Sequence, residues 1–268
     1  MLQKKKLIAA NWKMYPAPAG AGKYQNPSTK SQICAYQSQE NVDVVVFPTF
    51  LDIRKCLDAG LTVGAQYGHP EESGAHTGDI SMAMVKQIGC SYVLCGHSER
   101  RRDHQESNEF VAAQVVSALQ HGLHPILCIG ETWEERKAGK SKEIVKKQLE
   151  TVLTILPTPA RLPAEALAKA GAPALTLAYE PVWAISGGDP NKPAATAVDA
   201  QDMHAFIRNL LVHCPLSIVH CRIIYGGSMK PENAEELLKQ PDIDGGLVGN
   251  ASLDPEKFGE IVAISWKI

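Results

Sequence analysis

Residues 172–190 read APALTLAYEPVWAISGGDP, and the order of their chemistry decides how the chain is read. Ala174 to Tyr179 is a short apolar run of the kind that forms a strand buried on both faces. The run ends on a carboxylate, Glu180, followed at once by Pro181. Proline fixes its own backbone and pushes the preceding residue toward extended geometry, so strand and helix cannot merge there and the acid sits at a rigid strand end. Val182 to Ile185 then lead into the turn-rich Ser186 to Pro190, a pattern that fits a hinged lid. A carboxylate beside such a segment is a candidate base that can be shut away from water. On its own, a Glu in this position also fits a loop cap or an ion pair with a surface Arg.

Similar apolar runs recur along the chain. They occupy Leu7 to Asn11, Val42 to Phe47, Leu61 to Gln66, Tyr92 to Gly96, Pro125 to Gly130, Arg222 to Gly226 and Gly245 to Gly249. Between most of them lie amphipathic stretches of helix length, such as Ser107 to Gly122 and Glu131 to Thr154, in which apolar residues return every three or four positions. This alternation predicts a parallel sheet with crossover helices. Roughly eight such units, with no linker or low-complexity break, favour a single α/β domain over residues 1–268 built as a (β/α)8 barrel. In such a barrel the functional groups stand at the carboxyl ends of the strands.

Composition narrows the function classes. With 44% hydrophobic residues the 268-residue chain can bury a large core, and its net charge of -2 argues against a general nucleic-acid or membrane-surface binder. Lys4 to Lys6 are basic, but the apolar run Leu7 to Ala10 is too short for a signal peptide or a spanning helix. The seven cysteines, at 34, 56, 90, 95, 128, 214 and 221, are scattered with no CxxC pair, which predicts reduced thiols and a cytoplasmic protein without a zinc site.

Four further strand ends carry chemistry. After the first comes Asn11, Trp12, Lys13, where a Lys beside a buried strand can serve as a fixed charge for an anionic substrate; alone it also fits a solvated surface residue. After the fourth comes Gly96, His97, Ser98, Glu99, with a helix able to begin at Ser98. An imidazole at a helix N-terminus has its charged form disfavoured and suits a neutral hydrogen-bond donor, though a lone His is also commonly structural. The seventh and eighth ends, Gly226-Gly227-Ser228 and Gly249-Asn250, pair glycines with helix starts and expose backbone NH groups to a phosphate; either alone fits a simple turn. Cys128, at the fifth end, reads as packing. The long polar loop Gly64 to Ser81 predicts a subunit interface. Tyr15 to Lys30, rich in Pro, Ala and Gly, predicts a long loop with any helix short and starting near Asn26 to Ser28.

The motifs NWKM (11–14), GHSERR (96–101), CIGE (128–131), YEPVWAI (179–185), YGGS (225–228) and LVG.AS (247–252) resemble those of the triosephosphate isomerase family, in the same order along almost the whole chain. The resemblance implies Glu180 as the base that moves a carbon-bound proton and His97 as the neutral electrophile that polarises the carbonyl. It implies Lys13 as the charge that stabilises the enediolate and phosphate, with Asn11 beside it and Glu99 as a carboxylate near Lys13. It further implies phosphate held by NH groups of Ser186, Ser228, Gly249 and Asn250, and a homodimer in which Thr77 reaches the partner's site. Chemistry of this kind calls for a small phosphorylated sugar substrate and no metal or organic cofactor. The chain departs from the family pattern in places: the lid reads AISGGDPNKPAATA rather than AIGTGKTA, Tyr67 stands where Asn is common, Asp79 where Glu is, and Asn250 replaces a glycine.

The altered lid and Tyr67 motivate an alternative, isomerisation of a four-carbon ketose phosphate in the same fold. Two more distant readings are a lyase forming a Schiff base at Lys13 and a barrel kept only for binding. The intact set of Asn11, Lys13, His97 and Glu180 speaks against the last.

Overall fold

The computed structural model describes residues 5–18, 34–156, 175–185, 195–212 and 221–268. The expected short helix near Asn26 to Ser28, Ala174, the lid residues Ser186 to Pro193 and Cys214 lie outside these residues.

Eight strands form: β1 (Lys6–Asn11), β2 (Val42–Phe47), β3 (Gly64–Ala65), β4 (Tyr92–Cys95), β5 (His124–Ile129), β6 (Thr176–Tyr179), β7 (Arg222–Tyr225) and β8 (Gly245–Val248). Among the described residues the pairings between these strands are parallel, in the order β2-β1-β8-β7-β6-β5-β4-β3. The ring closes between β2 and β3 through a single parallel bridge, Val46 to Val63, where the Val46 amide donates to the Thr62 carbonyl at 3.0 Å. The protein is thus a (β/α)8 barrel, as the alternating pattern predicts.

The period of two along each strand separates two apolar layers. Leu7, Ala9, Val45, Phe47, Leu94, Ile126, Cys128, Ala178, Ile224 and Leu247 form a cluster inside the barrel. Their neighbours Ile8, Ala10, Val44, Val46, Leu177 and Ile223 join the larger cluster between strands and helices. Each fully buried aliphatic side chain of this kind contributes about 1.5–3 kcal/mol relative to exposure. The same alternation carries the inward series Leu7, Ala9 on to Asn11, and Ala178 on to Glu180, so both polar residues reach the barrel mouth by strand register alone.

Two expectations are revised. Glu131 to Thr154 is not one helix but two, Trp133–Lys137 and Ser141–Ile155. Thr132 and Glu135 form a reciprocal cap at the start of the first, and Gly139 ends it at φ 70, a left-handed conformation that glycine adopts without strain. The third strand is only two residues long rather than Leu61 to Gln66. Beyond it, Gln66 sends its side-chain amide across to the carbonyls of Lys13 (2.8 Å) and Phe47 (2.9 Å).

Candidate active site

Glu180 follows β6 and is fixed from both sides. Its amide donates to the Ile129 carbonyl at 2.8 Å. A Cβ on Gly130 would lie 1.7 Å from the Glu180 carbonyl oxygen, and one on Gly226 would lie 2.7 Å from its Cγ. The two glycines, at the ends of β5 and β7, therefore make the space the acid occupies. Oε2 accepts from the Ser98 amide at 2.8 Å, and Oε1 lies 3.1 Å from Nε2 of His97 without forming an aligned hydrogen bond. Glu180 is 1% exposed. A buried carboxylate oxygen that has no hydrogen-bond partner among the described residues, yet touches an imidazole, is the kind of exception that marks chemistry.

His97 caps the helix Ser98–Asp103. Its Nδ1 accepts from the Glu99 amide at 3.3 Å, and its carbonyl accepts from the amides of Arg100 and Arg101. An Nδ1 that accepts carries no proton, so the neutral ring presents Nε2–H toward the barrel mouth.

Lys13 adopts φ 50, a left-handed conformation costly for a residue with a side chain. Three bonds hold it there. Asn11 Oδ1 accepts from the Lys13 amide at 3.1 Å, Gln66 Nε2 donates to the Lys13 carbonyl, and Nζ lies 2.7 Å from Oε1 of Glu99. Burial works against the charged form of Glu99, but the bond from Lys13 and the charges of Lys13 and Arg102 outweigh it and hold its carboxyl below the usual range.

These groups border a cavity of about 410 Å³ whose wall includes Asn11, Lys13, His97, Ser228, Gly249 and Asn250. The amides of Ser228, Gly249 and Asn250 donate to no acceptor among the described residues. One rim thus offers a cation and a neutral N–H donor, and the other offers free backbone amides, the complement of a small carbonyl compound bearing a phosphate. Glu180 stands behind His97 rather than in the wall, its carboxylate turned onto the Ser98 amide.

Asn11, Lys13, His97, Glu99, Glu180, Ser228, Gly249 and Asn250 are thus gathered at one end of the barrel. Thr77 is exposed in the loop after β3, and Ser186 lies outside the described residues. Sequence reasoning missed Gln66 as the support of Lys13. It also passed over Glu131, fully buried, which accepts from Trp183 Nε1 at 2.9 Å and from the Tyr179 hydroxyl at 3.2 Å. Burial pushes the Glu131 carboxyl up, against the bonds from its own amide, Trp183 and Tyr179. The available signal was a carboxylate at a strand end, in CIGE. The packing role read for Cys128 agrees with its full burial, which with the nearby Glu180 drives its thiol well up; Cys56 and Cys90 are pushed to about 12 and about 11. None of these is a thiolate nucleophile at neutral pH.

Among the described residues no helix is long and apolar enough to cross a membrane. The family model described as triosephosphate isomerase matches residues 6–265. The triosephosphate isomerase of Aquifex aeolicus (strain VF5) is 39% identical over 263 residues, covering 96% of this chain and 98% of the relative. Those of Xanthomonas campestris pv. campestris (strain 8004) and Stenotrophomonas maltophilia (strain R551-3) are each 41% identical over 260 residues, 95% of this chain and 96% of theirs. On a match that spans the barrel from its first strand to its last helix, the chain belongs to the triosephosphate isomerase family.

Proposed function

We propose that the chain interconverts dihydroxyacetone phosphate and D-glyceraldehyde 3-phosphate by moving a proton between adjacent carbons through an enediolate. The observation that carries this reading is the 3.1 Å approach of Glu180 Oε1 to His97 Nε2 beside an anion-binding cavity. Glu180 leaves the Ser98 amide, turns into the cavity and takes the proton from one carbon, returning it to the next. His97 Nε2–H donates to the carbonyl oxygen as negative charge develops there. Lys13, aligned by Asn11 and paired with Glu99, stabilises the enediolate and the phosphate. The phosphate sits on the amides of Ser228, Gly249 and Asn250, joined by Ser186 from the lid.

The relatives carry the triose name and lend no support to the four-carbon alternative. Turnover measured side by side on triose and tetrulose phosphates tests the assignment. A much higher rate on the triose is expected, and the reverse order would reject it.

We further propose that residues 1–268 act as one barrel domain, that two copies associate as a homodimer, and that the enzyme works in the cytoplasm. Exposed apolar side chains support the dimer: Met14 and Tyr15 follow β1, Phe50 and Leu51 follow β2, and Met84 follows the loop that bears Thr77. Sedimentation of the purified protein at micromolar concentration should give twice the monomer mass, and a monomer there would remove this part of the reading.

A further inference from the structure

The turn from Gly226 to Lys230 joins β7 to the helix Pro231–Leu238 and forms part of the cavity wall. A turn with two adjacent glycines has many conformations open to it, so its shape has to come from its neighbours. One end is tied to the barrel, where the Gly226 amide donates to the Tyr179 carbonyl of β6 at 2.7 Å. The other end is held by a single side chain on the helix. Asn233 Nδ2 donates to the Ser228 carbonyl at 2.9 Å, and Asn233 Oδ1 accepts from the Lys230 amide at 2.8 Å. Because peptide units are planar and trans, these bonds fix the peptides on both sides of Met229. Only the Gly226–Gly227 and Gly227–Ser228 peptides remain between the two anchors. The second of them carries the Ser228 amide, which donates to no acceptor among the described residues.

Met229 supplies a second support. It is buried, and its thioether runs onto β8: a Cβ added to Gly246 would lie 2.6 Å from Met229 Sδ and 2.8 Å from its Cε. Gly246 thus leaves the space that Met229 fills. The contact packs the turn after β7 against the strand that leads to Gly249 and Asn250, so the two sets of free amides are not placed independently.

We propose that Asn233 is a positioning residue for the phosphate, holding the Gly226–Lys230 turn in its anion-binding shape before substrate arrives, with Met229 on Gly246 keeping that turn in register with the amides after β8. This role presupposes the phosphate site of the proposed reaction. Asn233 itself does not line the cavity and acts through the turn. Donors already aimed need no ordering when the anion binds, whereas a loose turn must be ordered at the expense of affinity. The effect is confined to phosphorylated ligands, because binding energy from a non-reacting phosphate is drawn on to lower the barrier at the reacting carbons.

The test compares Asn233→Ala with wild type by calorimetric titration with inorganic phosphate, and by kcat/KM on glyceraldehyde 3-phosphate against glyceraldehyde, which lacks the phosphate. Phosphate affinity and kcat/KM on the phosphorylated substrate should each fall by roughly fivefold, with kcat/KM on glyceraldehyde within about twofold of wild type. Phosphate affinity equal to wild type, or the same fall on both substrates, would overturn the assignment of Asn233. Gly246→Ala, away from the start of the helix, drives a methyl group into Met229 and should weaken phosphate binding with the same selectivity. Adding Met229→Val removes about the volume gained and should restore it. A double variant no better than Gly246→Ala alone would overturn the part given to Met229. The phosphate titration needs no turnover, so a wild-type protein that binds phosphate yet fails to isomerise triose phosphates would reject the isomerase reading and leave the role of Asn233 standing, while one that binds no phosphate at millimolar concentration would overturn both.

Discussion

Lys13 Nζ lies 2.7 Å from Oε1 of Glu99, which joins the end of β1 to the helix that His97 caps. The pair holds a cation at the cavity rim on a residue whose backbone is itself strained at φ 50. Glu99→Gln keeps the shape but removes the counter-charge. The expected outcome is a folded enzyme with reduced kcat/KM, because Lys13 loses the partner that aims it. Steady-state kinetics with unchanged constants would show the pair to be incidental.

Gln66 braces the same lysine from the other side, through its carbonyl. Gln66→Ala leaves the Lys13 and Phe47 carbonyls without these donors, and a loss of one such bond is worth roughly a factor of ten in rate where it positions a catalytic group. The drop should appear in kcat/KM with little change in thermal midpoint. A change in stability alone would assign Gln66 to packing.

Gly130→Ala places a methyl group against the Glu180 backbone, where a Cβ on the unshifted chain would overlap a carbonyl oxygen rather than a flexible side chain. Overpacking of this kind costs about 1–3 kcal/mol, occasionally more. Reduced stability and reduced kcat are expected together, read by urea unfolding and steady-state rates.

His204 predicts a pH effect on stability. It is fully buried between Tyr179 and Tyr225, and burial lowers its pKa from 6.5 to about 4, although the contact of Nδ1 with the Asp242 carbonyl acts the other way. The unfolded chain takes up the proton near 6.5 and the folded chain does not, so this contribution is fully present above pH 6.5 and is lost as pH falls to about 4. The loss amounts to roughly 3 kcal/mol. His204→Phe should flatten the fall in urea midpoint between pH 7 and 4.5; an identical slope would assign the acid sensitivity elsewhere.

Much of this site is legible in the sequence because strand ends announce themselves. Buried apolar runs that stop at Asn11, His97 and Glu180 place those groups on one rim once the runs form a barrel. What escaped reading depends on neighbours brought together only by closure of the ring. Gly226 reads as a phosphate turn, yet its nearest obligation is to leave room for the Glu180 side chain from the adjacent strand. Gln66 reads as loop, because nothing local shows that its amide meets the carbonyls of Lys13 and Phe47. The break at Gly139 was visible as a glycine but was outweighed by apolar periodicity on both sides.

His97→Gln retains a donor but not the aromatic ring that caps the helix through Nδ1. Its effect should fall mainly on kcat, and a loss confined to KM would reduce His97 to a binding group.

The most direct test follows isomerisation in D2O by proton NMR. Wild-type enzyme should place solvent deuterium on carbon in the product, as abstraction by a side-chain base requires. Glu180→Gln should abolish both turnover and exchange while keeping the wild-type circular dichroism spectrum. Turnover that persists in Glu180→Gln, or product formed by the wild type with no deuterium on carbon, would contradict the account.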